Sequence, residues 1–160
     1  MSLWGIVGRK DMGKTTLTVA LVEELTARGL VVSTLKRTHH ALDLETPGTD
    51  SHRHRAAGAA QTMLVSDARI TVMEEVAEPS LLHALTRLSP CDVVLAEGWK
   101  AGRHRRIEVW RPGGAAPLAA GDPSIAVVAA PGARAPVEGV VLDLDDVGAV
   151  ADWMLAWTTT

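Results

Sequence analysis

Gly8-Arg9-Lys10-Asp11-Met12-Gly13-Lys14-Thr15 restricts what this chain can fold into more than any other stretch. The spacing is G-x-x-x-x-G-K-[ST]. It sits between an apolar run, Leu3 to Val7, and a helical amphipathic pattern that begins at Lys14. Strand, loop and helix in that order are the setting in which this spacing cradles phosphates. Gly8 and Gly13 let the backbone turn with no Cβ in the way of a close phosphate. The loop amides and the helix amino terminus then point at the anion, and the helix dipole adds partial positive charge. Lys14 reaches the β- and γ-phosphates, and Thr15 offers a hydroxyl to Mg²⁺. Arg9, Lys10, Asp11, Met12 and Thr16 complete the expected nucleotide-binding stretch. Average residue usage would produce the pattern by accident on the order of once in a few hundred chains this long.

A length of 160 residues is expected to form one domain, 1–160, with room for a real core. The net charge of −3 gives no reason to expect a nucleic-acid partner. Cys91 is the single cysteine, which excludes an internal disulfide or a cysteine metal cluster and suits a reducing, cytoplasmic setting. Residues 1–25 hold the phosphate loop and so do not read as a signal peptide. No apolar run approaches the ~20 residues of a membrane span, so no membrane role is expected.

The hydrophobic pattern predicts a buried strand at Leu3 to Val7. A helix follows over Lys14 to Arg28, with Leu17, Ala20, Leu21 and Leu25 on its apolar face and Gly29 as its stop. A second strand over Leu30 to Leu35 completes a βαβ unit, so these two strands belong in parallel to one sheet. Lys36 to Ser51 is a long polar loop, and Asp50 or Ser51 is placed to cap a short helix after it. Gln61 to Ser66 and Arg69 to Met73 suggest an antiparallel hairpin. Pro79 opens a helix with Leu81, Leu82, Leu85 and Leu88 on one face. Strands follow at Asp92 to Glu97, Arg106 to Trp110, Ile125 to Ala129 and Val140 to Leu142. Asp145 then caps a final helix whose Val147, Val150, Ala151 and Met154 face the core. The fold class implied is α/β: a P-loop NTPase three-layer fold, a mostly parallel sheet that the segments 61–73 and 106–110 make mixed, with helices on both faces. Ligands in such sheets bind beyond the carboxyl ends of the strands, where Gly8 to Thr15, Lys36 to Ser51 and Glu97 to Lys100 are all expected to meet.

Glu97 ends an apolar strand. A carboxylate there resembles the second phosphate-loop motif, which holds Mg²⁺ directly or through water. Asp50, next to the Gly48 turn, is the other candidate metal ligand, and its alternative role is helix capping. Lys14, Asp50 and Glu97 are thus the candidate catalytic set, and Thr15, Glu97 and Asp50 the candidate metal set. His39, His40, His52 and His54 cluster with Arg37, Arg53 and Arg55. Their spacing sets no two histidines on one helix face, so a basic pocket for an anionic ligand is the better reading than a transition-metal site. His39, His40, Ser51, Arg53, Arg55 and Lys100 form that candidate pocket. The run Arg103-His104-Arg105-Arg106 is by default solvated loop, with anion steering as its functional alternative. No guanine-specific N-K-x-D signature is present, so composition does not choose between GTP and ATP.

Several of these features occur in order: Gly8 to Leu17, Leu35 to His40, Pro47 to Ser51, Arg53 to Ala59, Leu95 to Lys100, and Ile107 to Val109. The series resembles the molybdopterin-guanine dinucleotide biosynthesis protein B (MobB) family over about residues 3–129. The resemblance implies a GTP-binding, weakly GTP-hydrolysing homodimer that uses Mg²⁺. It would work beside the molybdopterin guanylyltransferase (MobA-type) on the molybdopterin cofactor. It would place Gly8 to Thr16 on the nucleotide phosphates, Glu97 and Gly98 in the second motif, and Asp50, Ser51 and Arg53 to Ala59 along the active edge. The family commonly carries Asn-Ser where Asp11-Met12 stands here, and Lys-His where Lys36-Arg37 stands. Two rival functions are left by the residues themselves: a small-molecule kinase, and a nucleotide-switched adaptor without useful catalysis.

Overall fold

The computed structural model describes residues 1–38 and 45–157. The chain divides into two compact units, one of Met1–Arg37 with Leu85–Thr160 and a smaller one of Thr38–Ala84.

The larger unit is a six-stranded sheet built from β1 (Ser2–Val7), β2 (Val32–Lys36), β5 (Val93–Glu97), β6 (Arg105–Val109), β7 (Ile125–Ala130) and β8 (Val141–Asp143). Its order is β2-β5-β1-β6-β7-β8, and every pairing is parallel. The expected βαβ unit is present, but β5 lies between its two strands. Parallel neighbours need crossovers, which leaves both faces available for burial. One face carries Trp4, Ile6, Val93, Leu95, Ile107, Val109, Val127 and Ala129, all buried in a single cluster. Helix α1 (Lys14–Ala27) supplies Leu17, Leu21 and Leu25 to that cluster, and α4 (Val147–Ala156) supplies Val150, Ala151 and Met154. The spacing of those residues is the helical spacing predicted from the sequence.

Two boundaries of this unit differ from expectation. Strand β2 starts at Val32 rather than Leu30, because Gly29 at φ 82° closes the end of α1 and the Leu30 N–H bonds back to the Leu25 carbonyl at 3.2 Å. The Val31 N–H is taken by the Asp92 carboxylate at 2.8 Å instead of a strand partner. Asp146, not Asp145, caps α4, accepting from the Ala149 N–H at 2.9 Å. Among the described residues of this unit, α1 and α4 pack on the same sheet face. The opposite face carries Gly5, Ala96, Arg106 and Glu108 beside the buried Val7, Val94, Trp110, Val128 and Ala130, and Ala119, Ala135 and Val137 pack against the last three of these. A 3-10 turn at Leu118–Ala120 is held there by the Glu108 carboxylate, which accepts from the Leu118 and Ala119 N–H groups at 2.7 and 2.9 Å.

The smaller unit contains α2 (Asp50–Ala56) and the antiparallel hairpin of β3 (Gln61–Val65) and β4 (Ile70–Glu74), with the short α3 (Leu81–Leu85) at its boundary. The antiparallel pair expected to make the main sheet mixed is therefore a separate two-stranded sheet. Thr49, not Asp50 or Ser51, stands at the N-cap of α2; Asp50 occupies the first helical position, where its charge suits the helix dipole. Ser80 caps α3, accepting from the His83 N–H at 3.0 Å, so Pro79 lies just outside. Helix α3 stops at Leu85, short of Leu88; Leu81, Leu85 and Leu88 are half-buried and Leu82 is exposed.

Candidate nucleotide-binding site

The phosphate loop leaves the carboxyl end of β1 through Gly8, whose φ is 143°. A Cβ there would stand 2.5 Å from the Val109 carbonyl oxygen of β6, so only glycine permits this approach. Gly13 turns the chain into α1 at φ 94°. Asp11 also has a positive φ, 62°, a conformation that Asp tolerates better than most residues. Met12 packs its side chain on the core cluster, and its carbonyl accepts from Arg111 Nε at 3.3 Å. Arg9, Lys10 and Asp11 are exposed. Lys14 folds back so that its Nζ donates to the Arg9 carbonyl at 2.7 Å, closing the loop on itself. Thr16 lines a small cavity with Gly13, Arg111 and Leu144.

The strand order puts β5 beside β1, and Glu97 in register with Ile6 of β1 and Lys36 of β2. Glu97 is 7% exposed. The Thr15 hydroxyl donates to its carboxylate, with Oε1 at 2.9 Å and Oε2 at 3.1 Å. Lys36 Nζ lies 3.3 Å from Glu97 Oε1 and 3.3 Å from Thr15 Oγ1. A cavity of about 450 Å³ opens on this trio between α1 and β2, bounded by Thr18, Val19, Val22 and Thr34. Gly98 (φ 84°) then turns away, with room for a Cβ denied by the Arg37 carbonyl at 2.9 Å. The Arg37 guanidinium stacks over Trp99 at 5.0 Å.

The structure thus joins Gly8 to Thr15 with Glu97, as the sequence predicts. It adds Lys36, which residue-by-residue reading passes over as the start of a polar loop. Its signal is positional: it is the last residue of a strand parallel to the one Glu97 ends, and that is visible only once the strand order is known.

Asp50, Ser51, Arg53 and Arg55 belong to α2 in the smaller unit. The Asp50 carboxylate is exposed and 4.0 Å from Arg53 Nη1. Arg55 is engaged by Glu45 at 2.5 Å and by Glu75 at 3.3 Å. Those contacts, Arg55 first and the buried Ser51 hydroxyl second, hold the Glu45 carboxyl below its ordinary range. His52 Nδ1 accepts from the Gly48 N–H at 3.4 Å. His39 and His40 lie outside the described residues. Among the described residues no three His, Cys, Asp or Glu side chains gather as a metal cluster. Lys100 is exposed beyond Trp99. Of the basic run, Arg105 stays exposed at the start of β6, stacks on Trp157 at 4.6 Å and donates to its carbonyl at 2.7 Å, whereas Arg106 is buried, so the expectation of a solvated loop fails for Arg106. Burial, then the Arg106 charge, pushes the pKa of His104 down.

Residues 3–130 match the family model described as molybdopterin guanine dinucleotide synthesis protein B. The chain belongs to the MobB family. It is similar to the molybdopterin-guanine dinucleotide biosynthesis adapter protein of Escherichia coli K12, with 34% identity over 91% of this chain and 86% of that one. The Haemophilus influenzae protein of the same name is 33% identical, over 97% of this chain and 88% of its own. Among solved structures, molybdopterin-guanine biosynthesis protein B superposes with a TM-score of 0.76 at 25% identity, covering 99% of both chains. Bacillus subtilis MobB gives 0.72 at 20% identity, which speaks for the fold alone. The MobB match ends at residue 130, yet α4 beyond it completes the core on which α1 packs.

Proposed function

We propose that this chain is an accessory protein of molybdopterin-guanine dinucleotide synthesis that binds GTP with Mg²⁺ at Gly8 to Thr16 and hydrolyses it slowly. The observation that carries the reading is the Thr15 hydroxyl against the Glu97 carboxylate at 2.9 and 3.1 Å, at the mouth of the phosphate loop. A neutral and an anionic oxygen beside phosphate oxygens fit a hard divalent cation. Magnesium held there would draw charge from the transferring phosphoryl group. The loop amides and Lys14 would hold the phosphates, Lys14 exchanging the Arg9 carbonyl for phosphate oxygens. Thr15 and Lys36 both engage the Glu97 carboxylate, which weakens it as a base and supports slow hydrolysis that depends on a partner.

The names of the relatives support an adapter role in molybdopterin-guanine dinucleotide synthesis; a MobA-type guanylyltransferase and its molybdopterin cofactor are the partners that this reading assigns. Homodimerisation belongs to the same reading. It is supported by the β3–β4 hairpin, one face of which pairs Met63 with Val72 and Val65 with Ile70, all between 47% and 69% exposed. A cytoplasmic setting is supported by the single cysteine. No described helix is long and apolar enough to cross a membrane.

Calorimetry of GTP binding tests the site. Lys14→Ala should remove most of the affinity, and unchanged binding would sink the assignment. Glu97→Gln should weaken the Mg²⁺ dependence more than the affinity for metal-free nucleotide. Transfer of labelled phosphate from ATP to a metabolite would replace the accessory reading with that of a kinase.

A further inference from the structure

A cavity of about 380 Å³ lies on the sheet face away from α1 and α4, and Arg9, Lys100, Arg106 and Asp122 line it. Lys14 and Thr15 take no part in its lining. Arg106 is 5% exposed, and its Nε is buried without a hydrogen-bond partner. The rest of its guanidinium is fixed: Nη1 donates to the Lys100 carbonyl and lies 3.2 Å from Asp122 Oδ2, and Nη2 donates to the Ser124 hydroxyl. Ser124, first through its hydroxyl, holds the Asp122 carboxyl below its ordinary range, so the carboxylate is ionised at neutral pH. Arg9 makes one long contact, 3.4 Å to the Ala116 carbonyl. Among the described residues the Lys100 ammonium has no partner.

Three cations therefore face one carboxylate around a water-sized to ligand-sized space. Burying a guanidinium with an open donor is unfavourable unless an acceptor completes it. Forked guanidinium donors with a nearby ammonium match the oxygens of a phosphate. Val7, Leu118 and Ile125 give the same cavity an apolar wall, which a bare phosphate would leave uncovered.

We propose that this cavity binds an organic phosphomonoester, at a second anion site that shares Arg9 with the phosphate loop but neither Lys14 nor Thr15. The dianion balances the excess of positive charge, and the organic group lies on Val7, Leu118 and Ile125. The site goes beyond the nucleotide reading and holds whether or not Gly8 to Thr16 takes GTP. For a protein of the kind proposed above, it offers a place for a phosphorylated co-substrate next to the nucleotide.

The test is calorimetric titration of the full chain with inorganic phosphate and with phenyl phosphate, in the wild type, Lys100→Met and Lys14→Ala. Lys100 is a surface residue, and circular dichroism checks that its variant is folded. Phenyl phosphate should bind about tenfold tighter than inorganic phosphate, the equivalent of covering one to two methylene groups' worth of apolar surface. Lys100→Met should weaken phenyl phosphate at least tenfold, and Lys14→Ala should leave it unchanged. Absence of binding by either probe overturns the proposal, as does insensitivity to Lys100→Met. Loss in Lys14→Ala puts the phosphate in the phosphate loop and overturns it too, and equal affinity for the two probes overturns the organic class. A wild type that fails to bind GTP would sink the nucleotide reading while leaving each of these outcomes readable.

Discussion

The six-stranded sheet and the β3–β4 hairpin are made of similar residues, yet they stand in opposite relation to water. Strand β5 is buried at every position, Val93 to Glu97, because parallel neighbours flank it and α1 packs over it. The hairpin has one partner strand per strand, and Met63, Leu64, Val65, Ile70 and Val72 remain exposed. In the smaller unit the fully buried described residues are Ser51 and Thr62, both polar. An isolated two-stranded hairpin is marginal in water, and this unit adds polar contacts such as Arg55 with Glu45 and Glu75. The larger unit closes its own core and can spend charged residues on chemistry. The smaller one leaves the apolar side chains of its hairpin exposed.

That contrast can be broken by substitution. The largest effect is expected in the core of the larger unit. Leu21 is fully buried, and Leu21→Ala should cost about 3–4 kcal/mol, read as a fall in the urea midpoint at unchanged slope. A loss below about 1 kcal/mol would mean that α1 does not anchor the sheet. Next is Glu108, 1% exposed, which holds the turn at Leu118–Ala120. Glu108→Ala orphans two N–H groups and should cost about 2–3 kcal/mol.

Acid should loosen the two units in sequence. The folded pKa of His104 lies below the ordinary 6.5, so the unfolded chain binds the extra proton first. The stability tied to its neutral form is complete above pH 6.5 and is lost as pH falls from there toward the folded value. The folded pKa of Glu45 lies below the ordinary 4.5, so its contribution is complete above that pH and is lost only below it. His104→Gln should flatten the first part of the stability profile, and Glu45→Gln the second. A profile unchanged by His104→Gln would show that its burial is not maintained in solution. The smallest effect on folding is expected at the hairpin. Val65→Ser with Ile70→Ser should change chain stability by less than about 0.5 kcal/mol, as surface substitutions do. The same change should weaken self-association in sedimentation by at least tenfold. Unaltered sedimentation would remove the hairpin as the dimer surface.

The site was legible in proportion to how local its physics is. Gly8, Gly13, Lys14 and Thr15 act through backbone geometry and spacing within eight residues, which a sequence displays directly. Glu97 was legible as an acid ending an apolar strand. Asp50 looked equivalent, because a carboxylate beside a turn reads alike whichever sheet or helix it enters. It opens a helix of the smaller unit, whereas the Glu97 carboxylate accepts from the Thr15 hydroxyl within the larger one. Arg106 read as part of a solvated basic run. Its burial follows from its place inside β6, facing a layer of loops that no period in the sequence announces.

The sequence by itself determined the phosphate loop, the helices that share its core, the family, and an α/β sheet of parallel strands. These rest on period, spacing and turn chemistry, all short-range quantities. Only the tertiary structure decided that β5 enters between β1 and β2. That insertion brings Glu97 between Thr15 and Lys36, residues 21 apart in the chain whose meeting depends on a strand that comes some 60 residues later. Strand order is fixed by which packing of the crossovers buries the most apolar surface. It is a property of the whole sheet, and no local stretch of the chain carries it.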